Sequence, residues 1–318
     1  NASINSKEIK KNDIFFAIKG KKKDGNQYLR EVFNKKASLA IVNKINKLEK
    51  KSKQIKVKNT LDFLTTISSK VRENSSAKII AITGSCGKTS LKELIGIALN
   101  KVCNVTYSRK SFNNKLGVPL SLFNLKTRDD FGVFEVGMDK KGEIDRLTKI
   151  IKPEVGVITN ISYAHAKNFK NLKQIALAKS EIMNNIVSGG SIVLNADDKF
   201  YNFHRKIALR KKLKVYSFSM NKKNVTVGLI SAKKEKTKFK IIVNIDNQKK
   251  YFFISSNFEN NLKNLLAAIT VISIFKDVKN LNKNIFYNYQ IPYGRGDISK
   301  ITINGKKIFL IDESYNSN

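Results

Sequence analysis

The stretch Ile79-Ile80-Ala81-Ile82-Thr83-Gly84-Ser85-Cys86-Gly87-Lys88-Thr89-Ser90 reads as an apolar strand that leads into a glycine loop. Helical periodicity follows it at residues 91–100. Gly84 and Gly87 allow backbone amides to approach phosphate oxygens, and the amino end of the helix adds a partial positive charge. Lys88 can pair with β- and γ-phosphates, and Thr89 can ligate Mg²⁺. The stretch therefore predicts a phosphate-binding loop.

The spacing of this loop is Gly-x-x-Gly-Lys-Thr, whereas the standard pattern places its first glycine at position 82, which here is Ile82. An ordinary glycine-rich turn between a strand and a helix is the alternative interpretation. The strand before the loop and the helix after it favour phosphate binding, because both belong to that motif.

Short apolar runs, each followed by helical periodicity, predict an α/β fold with a mainly parallel sheet. The runs are residues 78–83, 131–136, 155–160 and 191–195. Such sheets bind ligands at the carboxyl ends of their strands. Later in the chain, alternating apolar and polar positions predict a small antiparallel sheet, at residues 225–230, 239–245 and 251–255.

Two of the predicted strand ends carry residues of unusual chemistry. Glu135 interrupts an apolar run, and because a buried carboxylate needs a partner, we expect it to meet Mg²⁺ on nucleotide phosphates. A solvated glutamate, or one paired with a lysine, is the alternative. His165 follows the next strand, where a ligand or proton-transfer role competes with an ordinary polar role. His204 lies in a basic stretch, and we expect no chemical role for it.

The start of the chain predicts a separate small α/β domain. Strands are predicted at residues 13–19 and 37–42 and helices at 28–36 and 60–73, before a polar stretch at 74–76. We therefore expect one domain at residues 1–75 and a second at 76–318. Because the chain stops just after a predicted strand at 307–311, we expect it to be a fragment.

Composition limits the class of protein. Among 318 residues, 61 are Lys or Arg and 25 are Asp or Glu, for a net charge of +36, and 41% are hydrophobic, which is too apolar for a disordered basic tail. No apolar run reaches the roughly 18 residues of a membrane span. The two cysteines, Cys86 and Cys103, form no metal-ligand or disulfide pattern, and no signal-peptide pattern occurs, so we expect a cytoplasmic protein.

The positive charge has two interpretations. Clustered basic residues neutralise phosphates, which would make nucleic acid a partner. Here the lysines are spread along the chain, and only residues 21–23 and 47–58 form local basic patches. A solvated surface is therefore favoured, and we expect no nucleic-acid or membrane partner.

Together these segments resemble the Mur ligase family over nearly all of the chain. The loop matches that family's shorter G-x-x-G-K-T form. Other segments that carry the resemblance are Phe112-Asn113-Asn114-Lys115-Leu116-Gly117-Val118-Pro119, Glu135-Val136-Gly137-Met138 with Gly142-Glu143-Ile144, Asn160 to His165, Ala178-Lys179-Ser180-Glu181-Ile182, Asn261 with Asn264, Gly294-Arg295, Asp312-Glu313-Ser314-Tyr315-Asn316, Asn5-Ser6-Lys7 and Asp24-Gly25-Asn26. Residues 135–144 are most similar to the branch that adds D-Ala-D-Ala.

The resemblance implies an ATP-dependent carboxylate–amine ligase of peptidoglycan precursor synthesis. ATP would phosphorylate the terminal carboxylate of UDP-MurNAc-tripeptide, and D-Ala-D-Ala would then displace phosphate. Residues 1–75 would bind the UDP-sugar and residues 76–318 would bind ATP. The family's third domain, which carries the amine substrate, would be absent, so we expect the fragment to ligate weakly or not at all. We also expect a monomer.

The resemblance also implies roles for individual residues. Lys88 would stabilise the migrating phosphoryl group, and Asn113 and Asn114 would face it or the acceptor carboxylate. Thr89 and Glu135 would hold one Mg²⁺, and His165 and a carbamylated Lys179 would hold a second, because CO₂ addition gives lysine a carboxylate-like group. The remaining nucleotide contacts would be Gly84, Ser85, Cys86, Gly87, Ser90, Asn261, Arg295, Asp312 and Glu313. The remaining substrate contacts would be Ser6, Lys7, Asp24, Gly25 and Asn26.

Some positions depart from the family's pattern. Cys86 stands where Asn is usual, Lys7 where Arg is usual, Asn26 and Asn260 where His is usual, and Glu313 where Asp is usual. Three other functions stay open: another ligase of the superfamily, including the folylpolyglutamate synthase type; a basic P-loop NTPase that binds nucleic acid; and a degenerate nucleotide-binding module. The N-terminal domain argues against the folate enzyme, and the intact candidate site argues against the degenerate module.

Overall fold

The fold is given by a computed structural model. It describes residues 1–20, 23–163, 168–235, 238–255, 261–277, 280–287, 289–292, 294, 297–303, 306–312 and 314. Strands alternate with helices along much of the chain, and most strands belong to two sheets. No helix within these described ranges has the length and apolar character needed to cross a membrane.

The first sheet is built from the start of the chain and is parallel throughout. Its strands follow each other in the order β1 (Ala2–Ser3), β2 (Ile14–Phe16), β3 (Leu39–Val42) and β4 (Gln54–Lys56). Helix α1 (Leu29–Asn34) makes the crossover between β2 and β3. Phe15, Leu29 and Val32 bury their side chains between this helix and the sheet, and each contributes roughly 1.5–3 kcal/mol.

The second sheet has nine strands, in the order β13 (Gln248–Ser255), β12 (Lys238–Ile245), β11 (Val227–Glu235), β10 (Lys214–Ser219), β9 (Ser191–Asn195), β8 (Val155–Ile158), β5 (Lys78–Thr83), β7 (Phe131–Glu135) and β6 (Val105–Tyr107). Its parallel part, from β6 to β10, confirms the predicted mainly parallel sheet.

Helices cover both faces of the second sheet. Ile80 and Ile82 belong to one buried cluster, and Ile79 and Ala81 belong to another, because successive side chains of a strand point to opposite faces. Helices α3 (Lys88–Leu99) and α8 (Leu262–Phe275) contribute to the first cluster. The opposite face is packed by α4 (Gly117–Phe123), α5 (Glu143–Ile151), α6 (Leu172–Ser180) and α7 (Tyr201–Arg210).

The predicted antiparallel strands extend this same sheet. They are β11 (Val227–Glu235), β12 (Lys238–Ile245) and β13 (Gln248–Ser255). β11 pairs in parallel with β10 and antiparallel with β12, so the change of direction occurs within one continuous sheet. Strands β14 (Asp297–Ile303) and β15 (Lys306–Asp312) form a separate antiparallel hairpin.

The two larger sheets are joined by direct contacts, partly through helix α2 (Thr60–Glu73). The Ala2 N–H donates to Asn124 Oδ1 (2.7 Å), and Asn124 Nδ2 donates back to the Ala2 carbonyl (3.1 Å). Ser68 Oγ on α2 donates to the Pro119 carbonyl on α4 (2.7 Å). These contacts are buried or half-buried, so they hold the N-terminal sheet against the helices of the second sheet. The proposed domain division near residue 75 stays a prediction.

Candidate functional site

The predicted phosphate-binding loop (residues 84–87, the phosphate loop) lies at the carboxyl end of β5 and passes directly into α3. Gly87 precedes the helix with a left-handed φ of 80°, and a Cβ there would lie 2.8 Å from Asn264 Oδ1, so that the Asn264 side chain would have to shift. The Lys88 ammonium lies over the loop, donating to the carbonyls of Gly84 (2.9 Å) and Ser85 (3.2 Å). The helix predicted at residues 91–100 begins at Lys88, three residues earlier than predicted. A helix that starts directly after the loop is typical of the phosphate-loop motif.

The segment after β8 holds this loop in place. The N–H groups of Ser85 and Cys86 donate to the carbonyl and the side-chain Oδ1 of Asn160, both at 3.0 Å. Thr159 Oγ1 donates to the Cys86 carbonyl (2.6 Å), and Ser85 Oγ donates to the Ser162 carbonyl (3.0 Å). The sequence singled out Asn160 and Ser85 but not Thr159, because the contact of Thr159 depends on β8 lying beside β5.

Glu135 ends β7, which is the other neighbour of β5, and its side chain lies against α3. Thr89 Oγ1 donates to Glu135 Oε2 (2.6 Å), and Asn113 Nδ2 donates to Glu135 Oε1 (2.7 Å). Glu135 is 1% exposed and Thr89 is 2% exposed. Both donors are neutral, so they orient the carboxylate without cancelling its charge. The carboxylate and hydroxyl oxygens are ligands of the type that Mg²⁺ prefers.

Lys179 comes from α6, far along the chain, and lies under the phosphate loop. Its Nζ donates to the Gly84 carbonyl (2.8 Å), and the residue is 2% exposed. Burial, together with the nearby Lys88 charge, holds the pKa of Lys179 well below its usual value of 10.5. His165, the other residue expected at this site, lies outside the described residues. Among the described residues, no group of three or more His, Cys, Asp or Glu side chains could hold a metal.

A cavity of about 460 Å³ opens beside this cluster. Lys88, Asn113, Asn114 and Glu135 line one side of it. Asn114 Oδ1 also accepts the N–H groups of Leu116 and Gly117 at 3.0 Å, so its side chain orders the start of α4 as well. The cavity therefore meets the phosphate loop at the carboxyl ends of β5 and β7, where a second substrate could approach a bound nucleotide.

The opposite wall of this cavity includes α5, whose start is fixed by a residue near Lys179. Glu181 accepts the N–H groups of Gly142 (2.7 Å) and Asp145 (3.3 Å). Burial raises the pKa of Glu181 above its usual value of 4.5. The sequence placed Glu181 in a family segment without a role, because its position at the amino end of α5 is visible only in the folded structure.

The residues expected near adenine and ribose are described only in part. Asn261 precedes α8, and its Oδ1 accepts Asn264 Nδ2 (3.2 Å), which links it to the side chain packed on Gly87. Ser90 lies in α3, and its carbonyl accepts the Tyr289 hydroxyl (3.0 Å). Asp312 ends β15, and its Oδ1 accepts the Ser314 N–H. Arg295 and Glu313 lie outside the described residues.

The residues expected to bind the UDP-sugar lie near the first sheet. Asp24 Oδ1 accepts both the backbone N–H (3.0 Å) and Nδ2 (2.6 Å) of Asn26, and these hydrogen bonds lower the pKa of Asp24. Asn26 Nδ2 also donates to Asn43 Oδ1 (2.7 Å), whereas Asn26 Oδ1 is buried without a partner in the described part of the chain. Gly25 packs on the Ala17 backbone, leaving no space for a Cβ.

The other two residues of this set are held by α1 and by Lys35, which directly follows it. Ser6 Oγ donates to Glu31 Oε2 (2.8 Å), and Lys35 Nζ donates to the carbonyls of Ser6 (2.9 Å) and Lys7 (3.1 Å). These bonds fix the backbone of the segment. Among the residues expected to bind the UDP-sugar, Asn26 therefore has a buried acceptor, Oδ1, that no described residue uses.

Comparisons with known proteins agree with this fold and identify its family. Residues 82–272 match the family described as the Mur ligase middle domain. The chain is 35% identical over 322 residues to the UDP-N-acetylmuramoyl-tripeptide–D-alanyl-D-alanine ligase of Rickettsia prowazekii. The alignment covers 99% of this chain and 69% of that protein.

Two solved structures have the same fold. The crystal structure of MurF from Acinetobacter baumannii superposes with a TM-score of 0.83 at 27% identity, covering all of this chain (100%) and 68% of that one. MurF from Thermotoga maritima in complex with ADP gives 0.80 at 23% identity, covering 99% and 71%; at that identity it supports the fold alone. By its middle-domain match and its curated relative, the chain belongs to the Mur ligase family.

Proposed function

We propose that this chain is an ATP-dependent ligase that joins D-alanyl-D-alanine to UDP-N-acetylmuramoyl-tripeptide, in the synthesis of peptidoglycan precursors. The Rickettsia relative bears the name of this activity. The observation that carries the proposal is the convergence of Lys88, Thr89, Glu135 and Lys179 at the carboxyl ends of neighbouring parallel strands. A phosphate loop beside an acceptor cavity is the arrangement that phosphoryl transfer to a second substrate requires.

The proposed reaction has two steps. A carboxylate oxygen of the tripeptide attacks the γ-phosphorus of ATP, so that an acyl phosphate forms and ADP leaves. The amine of D-Ala-D-Ala then attacks the acyl carbon, the C–O bond to phosphate breaks, and the amine loses a proton. The products are the amide, ADP and inorganic phosphate.

The residues of this chain supply position and charge for the first step. Lys88, which donates to two loop carbonyls, reaches the space above the loop and would exchange them for phosphate oxygens. Asn113 is fixed between Glu135 and the backbone N–H of Gly137, which its carbonyl accepts at 2.8 Å. Asn113 and Asn114 would orient the acceptor carboxylate from the cavity wall.

The residues present fit a divalent cation. Glu135 and Thr89 offer hard oxygen ligands in a buried position, and Mg²⁺ is bound in nucleotide sites by one or two carboxylates plus phosphate oxygens. When bound, Mg²⁺ neutralises phosphate charge. The role of this chain's own residues is to hold the Glu135 carboxylate and to keep its two hydrogen-bond donors in place.

Carbamylation of Lys179 would provide a second acidic ligand. A neutral amine adds to CO₂ and releases one proton, leaving an N-carboxylate, and the lowered pKa of Lys179 favours the neutral amine. His165 is proposed as its companion ligand.

At the other end of the substrate, the unused Asn26 Oδ1 could accept a hydrogen bond from the UDP moiety. Asn261, Arg295, Asp312 and Glu313 are proposed to surround adenine and ribose, in a monomeric, cytoplasmic enzyme.

ADP release in the full-length protein tests the function. We expect release to require UDP-MurNAc-tripeptide and to rise when D-Ala-D-Ala is added. Lys179→Met should abolish it, whereas Lys173→Met, which alters an exposed lysine of the same helix, should not. A carbonyl signal of the carbamate from ¹³C-bicarbonate should be present in Lys173→Met and absent in Lys179→Met. Release that is indifferent to both substrates, but stimulated by nucleic acid, would instead favour the basic NTPase.

A further inference from the structure

Lys92 is a buried cation for which the proposed chemistry has no role. It lies one turn after Lys88 on the same side of α3, and it is 0% exposed. Lysine is almost never fully buried unless it is paired. Neighbouring inward positions of this helix, such as Leu91 and Ile95, are apolar, so packing alone does not explain a lysine here.

The ammonium of Lys92 is anchored to the loop that follows β6. Its Nζ donates to the Lys110 carbonyl (2.7 Å) and approaches Glu93 Oε1 (3.3 Å). Lys110 has a left-handed φ of 47°, a conformation that is unfavourable for a non-glycine residue. A charge-assisted hydrogen bond to its carbonyl can offset that cost.

Residues on both sides of Lys110 contact the Glu135 cluster. Ser108 Oγ accepts the Glu135 backbone N–H (3.3 Å), and Ser111 Oγ lies 3.4 Å from Thr89 Oγ1. Two residues further on, Asn113 holds the Glu135 carboxylate. We call residues 108–114 the acceptor loop. The turn at Lys110 determines where residues 111–114 of the acceptor loop contact Thr89 and Glu135.

We propose that Lys92 is a positioning residue that ties the phosphate-loop helix to the acceptor loop and thereby sets the divalent-cation site. This inference rests on the proposed function. Lys92 acts through the Lys110 carbonyl, so that Ser111 and Asn113 keep the Thr89 and Glu135 oxygens in place. Loss of the tie should weaken cation binding while leaving the amides of the phosphate loop unchanged.

The test compares ADP affinity with and without Mg²⁺ by calorimetry, in the wild-type protein and in variants. Lys92→Met keeps the length of the side chain and removes its charge; we expect it to reduce the gain in affinity that Mg²⁺ provides about tenfold, as is usual for outer-shell partners of a metal. Metal-free ADP affinity should stay unchanged. Arg72→Met is the matched control, because Arg72 is also a buried cation on backbone carbonyls but lies on α2.

Substitutions at the exposed Lys110 give a second arm that leaves the core intact. Lys110→Val disfavours the left-handed turn and should reproduce the Lys92→Met defect, whereas Lys110→Gly tolerates that turn and should not. In the ligand-free protein, Lys92→Met should also speed hydrogen exchange in residues 108–114, and Arg72→Met should not.

The outcomes separate the two proposals. A wild-type protein that does not bind ADP would contradict the proposed function, and the exchange measurement would still decide the role of Lys92. Normal Mg²⁺ dependence and normal exchange in both Lys92→Met and Lys110→Val would overturn the positioning role. If Lys92→Met does not fold, the Lys110→Val and Lys110→Gly pair decides the question.

Discussion

Glu135 is a carboxylate held at 1% exposure by two neutral donors, the Thr89 hydroxyl and the Asn113 amide. Two neutral hydrogen bonds only partly offset the cost of burying an ionised carboxylate. A cation bound with the nucleotide near the phosphate loop would offset the rest of that cost. We therefore propose that the charge of Glu135, rather than the shape of its side chain, is what the site requires.

Replacing Glu135 tests this argument. Glu135→Gln keeps the size of the side chain and removes the charge, so the Mg²⁺ contribution to ADP affinity should fall at least about tenfold, the loss seen when even outer-shell partners of a metal are removed. Calorimetric titration with and without Mg²⁺ measures it. Glu73→Gln, which changes a partly exposed carboxylate of α2, is the control. An unchanged Mg²⁺ effect in Glu135→Gln would exclude Glu135 as a ligand.

His204 allows a prediction for the dependence of stability on pH. The residue is 2% exposed, and its Nε2–H donates to the Ala176 carbonyl (3.0 Å) in α6. Burial lowers the pKa of His204 below its usual value of 6.5. The unfolded chain therefore takes up a proton more readily than the folded protein, and the stability from neutral His204 is present above pH 6.5 and lost as pH falls through the lower, folded-state pKa.

Urea unfolding of the wild type and of His204→Gln, from about pH 7.5 to about pH 5, measures this loss. The free energy of unfolding of the wild type should decrease relative to the variant as the pH is lowered, because the glutamine amide can donate the same hydrogen bond without titrating. A difference that does not change with pH would contradict the assignment of a neutral, buried His204.

At the scale of elements, the phosphate loop is positioned by the contact between β5 and the segment after β8. A Cβ on Gly84 would overlap the Thr159 hydroxyl, which itself holds the Cys86 carbonyl. Gly84→Ala should therefore destabilise the protein by about 3 kcal/mol and lower ADP affinity, since overpacking must displace the loop. Gly189→Ala is the control. Gly189 has a left-handed φ of 74°, but no atom lies within 4 Å of the position that a Cβ would take, so this substitution should destabilise the protein by only about 1 kcal/mol.

Thermal or urea unfolding gives the stability of both variants, and ADP titration reads out the site. If Gly84→Ala lowers the free energy of unfolding by no more than Gly189→Ala does, the close approach of Gly84 to Thr159 is wrong.

The elements that could be predicted from the sequence are those whose patterns are long or carry a motif. The helix at residues 60–73 and the strands at 78–83 and 191–195 are confirmed with the same bounds. β4 and β6 were not predicted, because three residues carry too little pattern and their conformation depends on pairing with a longer neighbour. β10 was also missed; its polar residues conceal the alternation.

The same distinction applies to the candidate site. Thr89 and Glu135 could be brought together from sequence, since strands of a parallel sheet end at one edge, and β5 and β7 are adjacent. Lys179 required the family resemblance, because an isolated lysine on a helix carries no signal of burial. Lys92 could not be predicted at all: its burial depends on an acceptor loop that packs on α3 from a separate segment.

At the scale of the whole molecule, two sheets divide the proposed work. The nine-stranded sheet presents the phosphate loop, Glu135 and Lys179 at one edge, and the N-terminal sheet is fixed to its helices through Ala2, Asn124 and Ser68. A UDP-sugar peptide held by the first sheet could then place its terminal carboxylate in the cavity beside Lys88. The net charge of +36 favours anionic substrates in general but selects none of them.

The central claim is that the carboxylate of the tripeptide attacks ATP and becomes an acyl phosphate. The most direct measurement uses UDP-MurNAc-tripeptide labelled with ¹⁸O in both oxygens of its terminal carboxylate, with ATP, Mg²⁺ and D-Ala-D-Ala, in the full-length protein. Mass spectrometry of the released phosphate should find one ¹⁸O atom per phosphate, because the oxygen that attacks ATP leaves with phosphate when the amide forms. Phosphate without the label, released while ADP accumulates, would show that water attacks ATP and would contradict the ligase mechanism.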